Sequence, residues 1–232
     1  METLIFDCDG VLVDSEAIAE DTLVRILGEW LPDLHPEEAL GQALGMTTAN
    51  ILAHIEQRSI HALPDDALER IDTAIEARLA RELRAIEGVA EAVARLDMPL
   101  AIVSNSRRRR VLGSLATTGL DALLNGAPLF TAEQVERPKP DPAVYRLAAE
   151  TLGCQPGDCL VVEDSVSGVT AARAAGMTVI GFTGASHIQA GHDHRLIEAG
   201  AWRILPHMRG LEALTEEWRQ QRLDSTQPSI RQ

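Results

Sequence analysis

The sequence predicts an α/β protein: a parallel sheet with a helical segment inserted after its first strand. A short apolar run, Leu4-Ile5-Phe6, has the pattern of a buried strand, but the next comparable run, residues 100–103, begins only after a long stretch of helical pattern. From residue 87 onward, apolar runs alternate with amphipathic segments. Because strands separated by helices pair in parallel, these observations predict one sheet core built from two sections of the chain.

The inserted segment is predicted to consist of helices. One helix is expected over residues 16–30, and two shorter ones over 36–44 and 47–57, with Pro36 and Thr47 at their starts. The clearest helix is expected over 65–86, where apolar residues recur at three- and four-residue steps: Leu68, Ile71, Ile75, Leu79, Leu83 and Ile86. We therefore predict two domains: an α-helical domain over residues 15–86, and a core domain formed by residues 1–14 and 87–232.

The second section of the core is predicted to alternate strands with helices. Its strands are expected over residues 100–103, 129–130, 159–162, 178–182 and 202–205. Its helices are expected over residues 108–117, 142–152, 166–175 and 209–222. The polar residues 225–232 are predicted to form a flexible tail. Ligands of parallel sheets bind beyond the carboxyl ends of the strands, so polar residues at those ends are the first candidates for a functional site.

Composition and charge limit the classes of partner. The chain has 232 residues, of which 45% are hydrophobic, and a formal net charge of −14, which argues against nucleic acid or an anionic membrane as a partner. Neither an apolar run of about 18 residues nor a basic amino-terminal region is present, so we predict no membrane span and no signal peptide. The cysteines Cys8, Cys154 and Cys159 lack metal-ligand spacing and fit free thiols, so a cytoplasmic location is expected.

Charged and polar side chains follow several of the predicted strands. Asp7 and Asp9 follow the first strand, and the others are Ser104-Asn105-Ser106, Lys139 and Glu163-Asp164-Ser165. Two carboxylates this close need a cation, and Mg2+, which prefers oxygen ligands, suits chemistry on a phosphate group. Lys139 is the one lysine among 21 basic residues, which suggests that a compact ammonium is needed where a planar guanidinium would not fit.

Four motifs, in this order, resemble those of the haloacid dehalogenase (HAD) superfamily. They are Asp7-x-Asp9-Gly10-Val11-Leu12-Val13-Asp14-Ser15-Glu16, Val103-Ser104-Asn105, Lys139-Pro140-Asp141-Pro142 and Val162-Glu163-Asp164-Ser165-x-x-Gly168. The resemblance spans residues 4–182 and implies a Rossmann-like parallel sheet core. The inserted segment is similar to the α-helical cap of the phosphatases and phosphomutases in that superfamily.

The resemblance implies a role for each motif residue. Asp7 would attack phosphorus and form an aspartyl phosphate, and Asp9 would act as the general acid and base. Mg2+ would be held by Asp7, by the backbone carbonyl of Asp9 and by Asp164, with Glu163 in support. The phosphate oxygens would be bound, and their charge offset, by three residues: Ser104, Asn105 and Lys139.

Further residues are assigned from their place near these motifs. Most of the run Arg107 to Arg110 is predicted to be a solvated face, but Arg107 or a neighbour is predicted to contact a second anionic group of the substrate, such as a distant carboxylate. The cap loop with Gly45 and Thr47 is predicted to contact the substrate and to select it. Cys8 is assigned to packing, because no arginine closes a phosphate loop around it. A solvated loop is predicted, with a transition-metal site as the alternative, for the segment that contains His187, His192, Asp193 and His194.

The predicted reaction is hydrolysis of a phosphate ester. Asp9 favours it over dehalogenation, because a dehalogenase needs no acid for its leaving group. The resemblance to phosphomutases would require a histidine and a basic residue where Ala19 and Thr48 stand. We therefore expect a Mg2+-dependent phosphatase of a small sugar or sugar-acid phosphate such as 6-phosphogluconate.

Three alternatives stay open at this point. Two are enzymes: a β-phosphoglucomutase-like phosphomutase and a phosphoglycolate phosphatase. The third is a phosphoacceptor signalling domain, which the Asp7-x-Asp9 pair on one strand and the long helical insertion argue against. The expected partner is a small phosphorylated metabolite, and the sequence does not indicate an oligomeric state.

Overall fold

The computed structural model describes residues 1–36 and 48–226, which include a six-stranded parallel sheet. Its strands are β1 (Thr3–Phe6), β2 (Leu100–Ser104), β3 (Leu129–Thr131), β4 (Cys159–Glu163), β5 (Thr178–Phe182) and β6 (Arg203–Leu205). The strand order is β3-β2-β1-β4-β5-β6, so the first strand lies in the middle of the sheet. The predicted α/β fold with a parallel sheet is confirmed.

The helices, numbered over the described residues, cover both faces of the sheet and form the inserted segment. They are α1 (Glu16–Trp30), α2 (Thr48–Glu56), α3 (Ala67–Glu82), α4 (Val89–Arg95), α5 (Arg108–Thr118), α6 (Leu120–Leu123), α7 (Ala143–Leu152), α8 (Val166–Ala174), α9 (His192–Glu198) and α10 (Leu211–Thr226). The first three belong to the inserted segment. No helix in the part of the chain described here is long and apolar enough to cross a membrane.

The central strand explains why the core has two sides. Successive side chains of a strand point to opposite faces, so Leu4 and Phe6 pack into one hydrophobic cluster and Ile5 into the other. The first cluster continues into the inserted helices, where it includes Leu23 and Ile71. Each fully buried side chain of this size contributes about 1.5–3 kcal/mol to folding. The inserted helices therefore share apolar packing with the sheet instead of standing apart from it.

The two chain crossings between sheet and insertion pair with each other. The amide of Asp14 donates to the carbonyl of Arg84, and the amide of Ile86 donates to the carbonyl of Leu12, both at 3.0 Å. The helix predicted over 65–86 is therefore wrong at its end: α3 stops at Glu82, and the following residues are extended. Leu83 and Ile86 are buried, as they would be in a helix, so apolar spacing alone could not distinguish the two conformations.

Other differences from the prediction concern short elements. The helices α4, α6 and α9 were not predicted, and each begins after a glycine with a left-handed backbone, a residue that reads as a connection in sequence. The predicted helix over 209–222 begins as a short 3-10 turn, Met208–Gly210, and α10 reaches Thr226. Residues 227–232 of the predicted tail and residues 37–44 of the predicted second helix lie outside the described residues.

Candidate active site

The predicted site residues meet at the carboxyl edge of the sheet. Asp7, Ser104 and Glu163 lie at the ends of β1, β2 and β4, which are neighbours in the sheet. Lys139 reaches the same place from the connection between β3 and α7. The edge where neighbouring parallel strands end is where ligands of open α/β sheets bind. Residues that are more than 150 positions apart in sequence, Asp7 and Glu163, thus share one site.

Lys139 is a buried cation between two carboxylates. Its Nζ lies 2.6 Å from Oδ1 of Asp7 and 2.6 Å from Oε1 of Glu163, and it donates to the carbonyl of Val103 at 3.1 Å. Only 3% of its side chain is exposed. Burial alone would lower the pKa of Lys139, but the two carboxylates outweigh burial and raise it well above its usual value. The lysine is therefore a fixed positive charge next to Asp7.

Glu163 is fully buried, and both of its carboxylate oxygens accept hydrogen bonds. Oε1 accepts from Lys139 and, at 3.0 Å, from the hydroxyl of Tyr145. Oε2 accepts from the backbone amide of Ser165 at 3.2 Å and from its hydroxyl at 3.0 Å. A buried carboxylate is stable only when such partners replace water. Sequence reasoning did not assign Tyr145 to the site.

Gly168 allows this carboxylate its position. A Cβ atom at residue 168 would come within 1.8–2.2 Å of the carboxylate of Glu163, closer than atoms can approach. The first turn of α8 therefore passes directly against Glu163, and only glycine permits it. This contact gives a physical reason for the glycine at the end of the fourth motif.

Three buried carboxylates form the candidate metal centre. Oxygen atoms of Asp7, Glu163 and Asp164 lie within 4.8 Å of one another. Burial raises the pKa of Asp7 well above its usual value, although Lys139 opposes this, and burial together with Glu163 raises the pKa of Asp164. Three crowded, buried carboxylates that share one ammonium, that of Lys139, suit a hard divalent cation. The residues present therefore fit the Mg2+ that the sequence resemblance implies.

Asp9 has a different environment from Asp7, although they are two residues apart. Its carboxylate accepts hydrogen bonds from Ser15 and Ser106, both at 2.7 Å, and from Ser104 at 3.4 Å, and Nη2 of Arg110 lies 3.5 Å away. Burial would raise the pKa of Asp9, but Arg110 and these hydroxyls outweigh it and lower the pKa below its usual range. The side chain of Asp9 is thus directed to hydroxyl groups and an arginine, outside the carboxylate cluster.

The predicted phosphate-binding residues also position one another. The side chain of Asn105 accepts a hydrogen bond from the amide of Lys139 at 3.0 Å and donates to its carbonyl at 3.3 Å. The hydroxyl of Ser104 accepts from the amide of Ser106 at 2.9 Å. Asn105 therefore fixes the backbone that carries the lysine. Ser15 and Ser106 were quoted with the motifs but not assigned to the site.

The arginine that contacts Asp9 is Arg110, while the contact of Arg107 with a second anionic group of the substrate stays a prediction. Arg107 is exposed at the amino-terminal cap of α5, before the first turn. Arg110 lies one turn further, beside the buried Val111, and its side chain contacts Asp9. A run of four arginines could not show in sequence which one faces the sheet, because that depends on where the helix begins. Gly45 and Thr47, the predicted cap-loop residues, lie outside the described residues.

The histidine segment is not the solvated loop that the sequence predicted. Nε2 of His187 lies 3.3 Å from Oδ2 of Asp164, and Nε2 of His192, which begins α9, lies 2.5 Å from the carbonyl oxygen of Asp164. Ser186 donates to Asp14 through its amide and its hydroxyl, at 3.2 and 2.9 Å. The segment therefore folds back over the edge of the sheet, where it contacts Asp14 and Asp164.

Glu16 approaches the same edge from the first inserted helix. Burial, followed by the charges of Asp9 and Asp164, raises the pKa of Glu16 to about 7, while Arg110 and His187 oppose the shift. Burial lowers the pKa of His187, but the hydrogen bond to Asp164 outweighs it and the pKa is raised. These two side chains bring further charge to the opening of the site, and neither was predicted to take part.

Comparison with known proteins indicates the family of this chain. A sequence profile of the haloacid dehalogenase-like hydrolase family matches residues 4–182. The 6-phosphogluconate phosphatase of Escherichia coli K12 is 32% identical over 190 residues, which are 81% of this chain and 85% of that protein. Hexitol phosphatase A of the same organism is 33% identical over 185 residues, with coverage of 76% and 80%.

A solved structure extends the agreement to nearly the whole chain. A haloacid dehalogenase-like protein of unknown function from Agrobacterium tumefaciens C58 superposes with a TM-score of 0.84 and 39% identity, over 94% of this chain and 98% of that one. The fold, the order of the four motifs and the profile match lead to the same assignment. The chain belongs to the haloacid dehalogenase-like hydrolase family.

Proposed function

We propose that this protein is a Mg2+-dependent phosphatase that hydrolyses a small phosphorylated sugar or sugar acid through an aspartyl phosphate on Asp7. The observation that carries the proposal is the buried contact between Asp7 and Lys139 beside the carboxylates of Glu163 and Asp164. Two relatives support the substrate class by their names, 6-phosphogluconate phosphatase and hexitol phosphatase A.

Asp7 is the proposed nucleophile. Lys139 holds its carboxylate at 2.6 Å and offsets negative charge where a phosphate would approach. Mg2+, held by Asp7, Asp164 and the backbone carbonyl of Asp9 with Glu163 in support, would reduce the repulsion between carboxylate and phosphate. The bond from phosphorus to the ester oxygen breaks as the bond to Asp7 forms, and water then cleaves the aspartyl phosphate.

Asp9 is the proposed acid and base. It gives a proton to the departing ester oxygen and later takes one from the attacking water, a role that is typically worth a factor of about 10²–10⁴ in rate. Four donors now hold it as a carboxylate, from Ser15, Ser104, Ser106 and Arg110. Asp9 must therefore exchange some of these partners when a substrate binds, since a group held as an anion does not donate a proton.

The inserted segment is the proposed cap, residues 15–86, on a core formed by residues 1–14 and 87–232. The crossings pair at Asp14 and Arg84, and Glu16 stands next to the site, so movement of the helices would open or cover Asp9. Closure of such a segment would shield the site from bulk water while the phosphate is transferred to Asp7, and opening would admit the water that cleaves the aspartyl phosphate. Gly45 and Thr47 remain the proposed cap contacts to the substrate.

A phosphate-release screen tests the proposal. The purified protein is incubated with a panel of sugar and sugar-acid phosphates, with Mg2+ or with a chelator, and inorganic phosphate is measured. We expect Mg2+-dependent release, its loss in Asp7→Asn, and a fall of about 10²–10⁴ in Asp9→Asn. Asp121→Asn, an exposed aspartate on α6, is the matched control and should keep full activity. The proposal is refuted if no member of the panel releases phosphate. Conversion of β-glucose 1-phosphate to glucose 6-phosphate would favour the phosphomutase alternative.

A further inference from the structure

One arginine of a run of four is turned to the site. Among the described residues, the side chain of Arg108 donates to the carbonyl of Leu129 at 3.1 Å, and Arg109 pairs with Glu76 of the inserted segment at 2.8 Å. Arg107 is exposed. Arg110 alone of the four contacts one of the proposed catalytic aspartates, Asp9.

The contact that Arg110 makes leaves much of its guanidinium unused. Nη2 is 3.5 Å from Oδ1 of Asp9, a long hydrogen bond, and Nε is a buried donor without a partner among the described residues. A guanidinium carries five N–H donors in a planar fork that matches a carboxylate with two parallel hydrogen bonds. Its side chain is 22% exposed, so a ligand can reach it. An arginine in this state is able to bind a second carboxylate while it stays next to Asp9.

The position of Arg110 relates it to the leaving group of the substrate. Asp9 has to reach the ester oxygen that departs, so a group that contacts Asp9 and is not part of the carboxylate cluster is near the remainder of the substrate. An anionic leaving group would be repelled by Asp7, Asp9 and Asp164, and Lys139 is already committed to Asp7 and Glu163. A substrate with a negative leaving group therefore needs a separate cation here.

We propose that Arg110 binds a carboxylate on the leaving group, so that the preferred substrates are phosphorylated sugar acids and not the corresponding neutral sugar alcohols. This inference rests on the proposed function. Glu16, on the cap side of Arg110, offers an acceptor to hydroxyl groups of the same leaving group. The specificity for acid therefore comes from the core helix α5, and the cap contributes contacts to the polyol.

The test compares two substrates that differ at one carbon. 6-Phosphogluconate carries a carboxylate where glucitol 6-phosphate carries a hydroxymethyl group, so the ratio of their kcat/KM values isolates that group. We expect wild type to prefer the acid by about 10–100-fold, as is typical of charge-assisted hydrogen bonds. Arg110→Gln should remove most of this preference, mainly by raising KM for the acid, and Arg110→Lys should retain part of it. Arg25→Gln, which removes an exposed arginine of α1, should leave the ratio unchanged.

Each outcome decides the inference. If Arg110→Gln slows both substrates equally, Arg110 only positions Asp9 and the proposal is wrong. It is also wrong if wild type does not prefer the acid, or if Arg107→Gln changes the ratio and Arg110→Gln does not. If wild type hydrolyses neither substrate nor any other sugar phosphate, the proposed function itself has failed, and this result is visible without any variant. Thermal melting of each variant separates loss of recognition from loss of fold.

Discussion

Replacing Lys139 by methionine should destabilise the metal-free protein strongly, because it leaves two buried carboxylates without their shared cation. Methionine keeps the length of the side chain and removes its charge. Nζ lies 2.6 Å from both Asp7 and Glu163, whose side chains are 10% and 0% exposed, so water cannot replace the ammonium. Breaking a buried ion pair from one side typically costs about 3–5 kcal/mol.

The expected change in melting temperature follows from that cost. A domain of about 150–250 residues loses about 2–4 °C per kcal/mol, so Lys139→Met should melt about 6–20 °C lower than wild type. The double variant Lys139→Met/Glu163→Gln removes the cation and one of its carboxylates together. It should recover about half of the loss, because it leaves one buried charge without a partner instead of two.

Thermal and urea unfolding in the presence of a chelator measure these differences. Arg137→Met is the matched control, because Arg137 is 76% exposed and pairs with Asp141 at the surface; it should change stability by less than about 0.5 kcal/mol. The reasoning is refuted if Lys139→Met unfolds within about 1 kcal/mol of wild type, or if adding Glu163→Gln destabilises it further.

Three further predictions address the surroundings of this cluster. Gly168→Ala should lower stability and activity because its Cβ would overlap the carboxylate of Glu163. The control Gly113→Ala, in open space on α5, should be neutral or stabilise the protein by up to about 1 kcal/mol. Urea unfolding measures the stability of the two variants, and phosphate release measures their activity. Tyr145→Phe should lower kcat and change KM little, because it removes one hydrogen-bond donor from Glu163 and leaves the substrate contacts in place; a kcat equal to that of wild type would contradict this. The pKa of Glu16 is raised to about 7, so ionisation of Glu16 destabilises the metal-free protein as pH rises from about 4.5 to 7. Because Mg2+ would offset the charge of Asp164, which contributes to this shift, added Mg2+ should raise the melting temperature more at pH 7.5 than at pH 5.5; equal shifts would contradict the prediction.

The sequence was sufficient to predict the positions of residues that follow strands. Asp7, Ser104 and Glu163 each come directly after an apolar run or end one, and neighbouring parallel strands must end at the same edge. No knowledge of side-chain conformation is needed for that step. A role of Lys139 in the site was implied only by the family resemblance, because the residue lies in a connection whose path the sequence does not determine.

Residues on helices and returning loops could not be predicted in the same way. Whether Arg107 or Arg110 faces Asp9 depends on where α5 begins, and one residue changes the direction of a side chain by about 100°. The contact of His187 with Asp164 depends on a loop that folds back over the sheet. Apolar spacing predicted burial of Leu83 correctly and its helical backbone wrongly, because burial does not specify which backbone groups pair.

Asp7 and Asp9, two residues apart, show how strongly neighbouring groups set the pKa of a carboxylate. In the metal-free arrangement the pKa of Asp7 is raised and that of Asp9 is lowered, which is opposite to what a nucleophile and a general acid require. A cation at the carboxylate cluster would favour the ionised form of Asp7. An anionic leaving group bound to Arg110 would weaken the contact that does most, among its neighbours, to hold Asp9 ionised. In the proposed mechanism, the cation would therefore prepare Asp7 as the nucleophile, and the bound leaving group would prepare Asp9 as the acid.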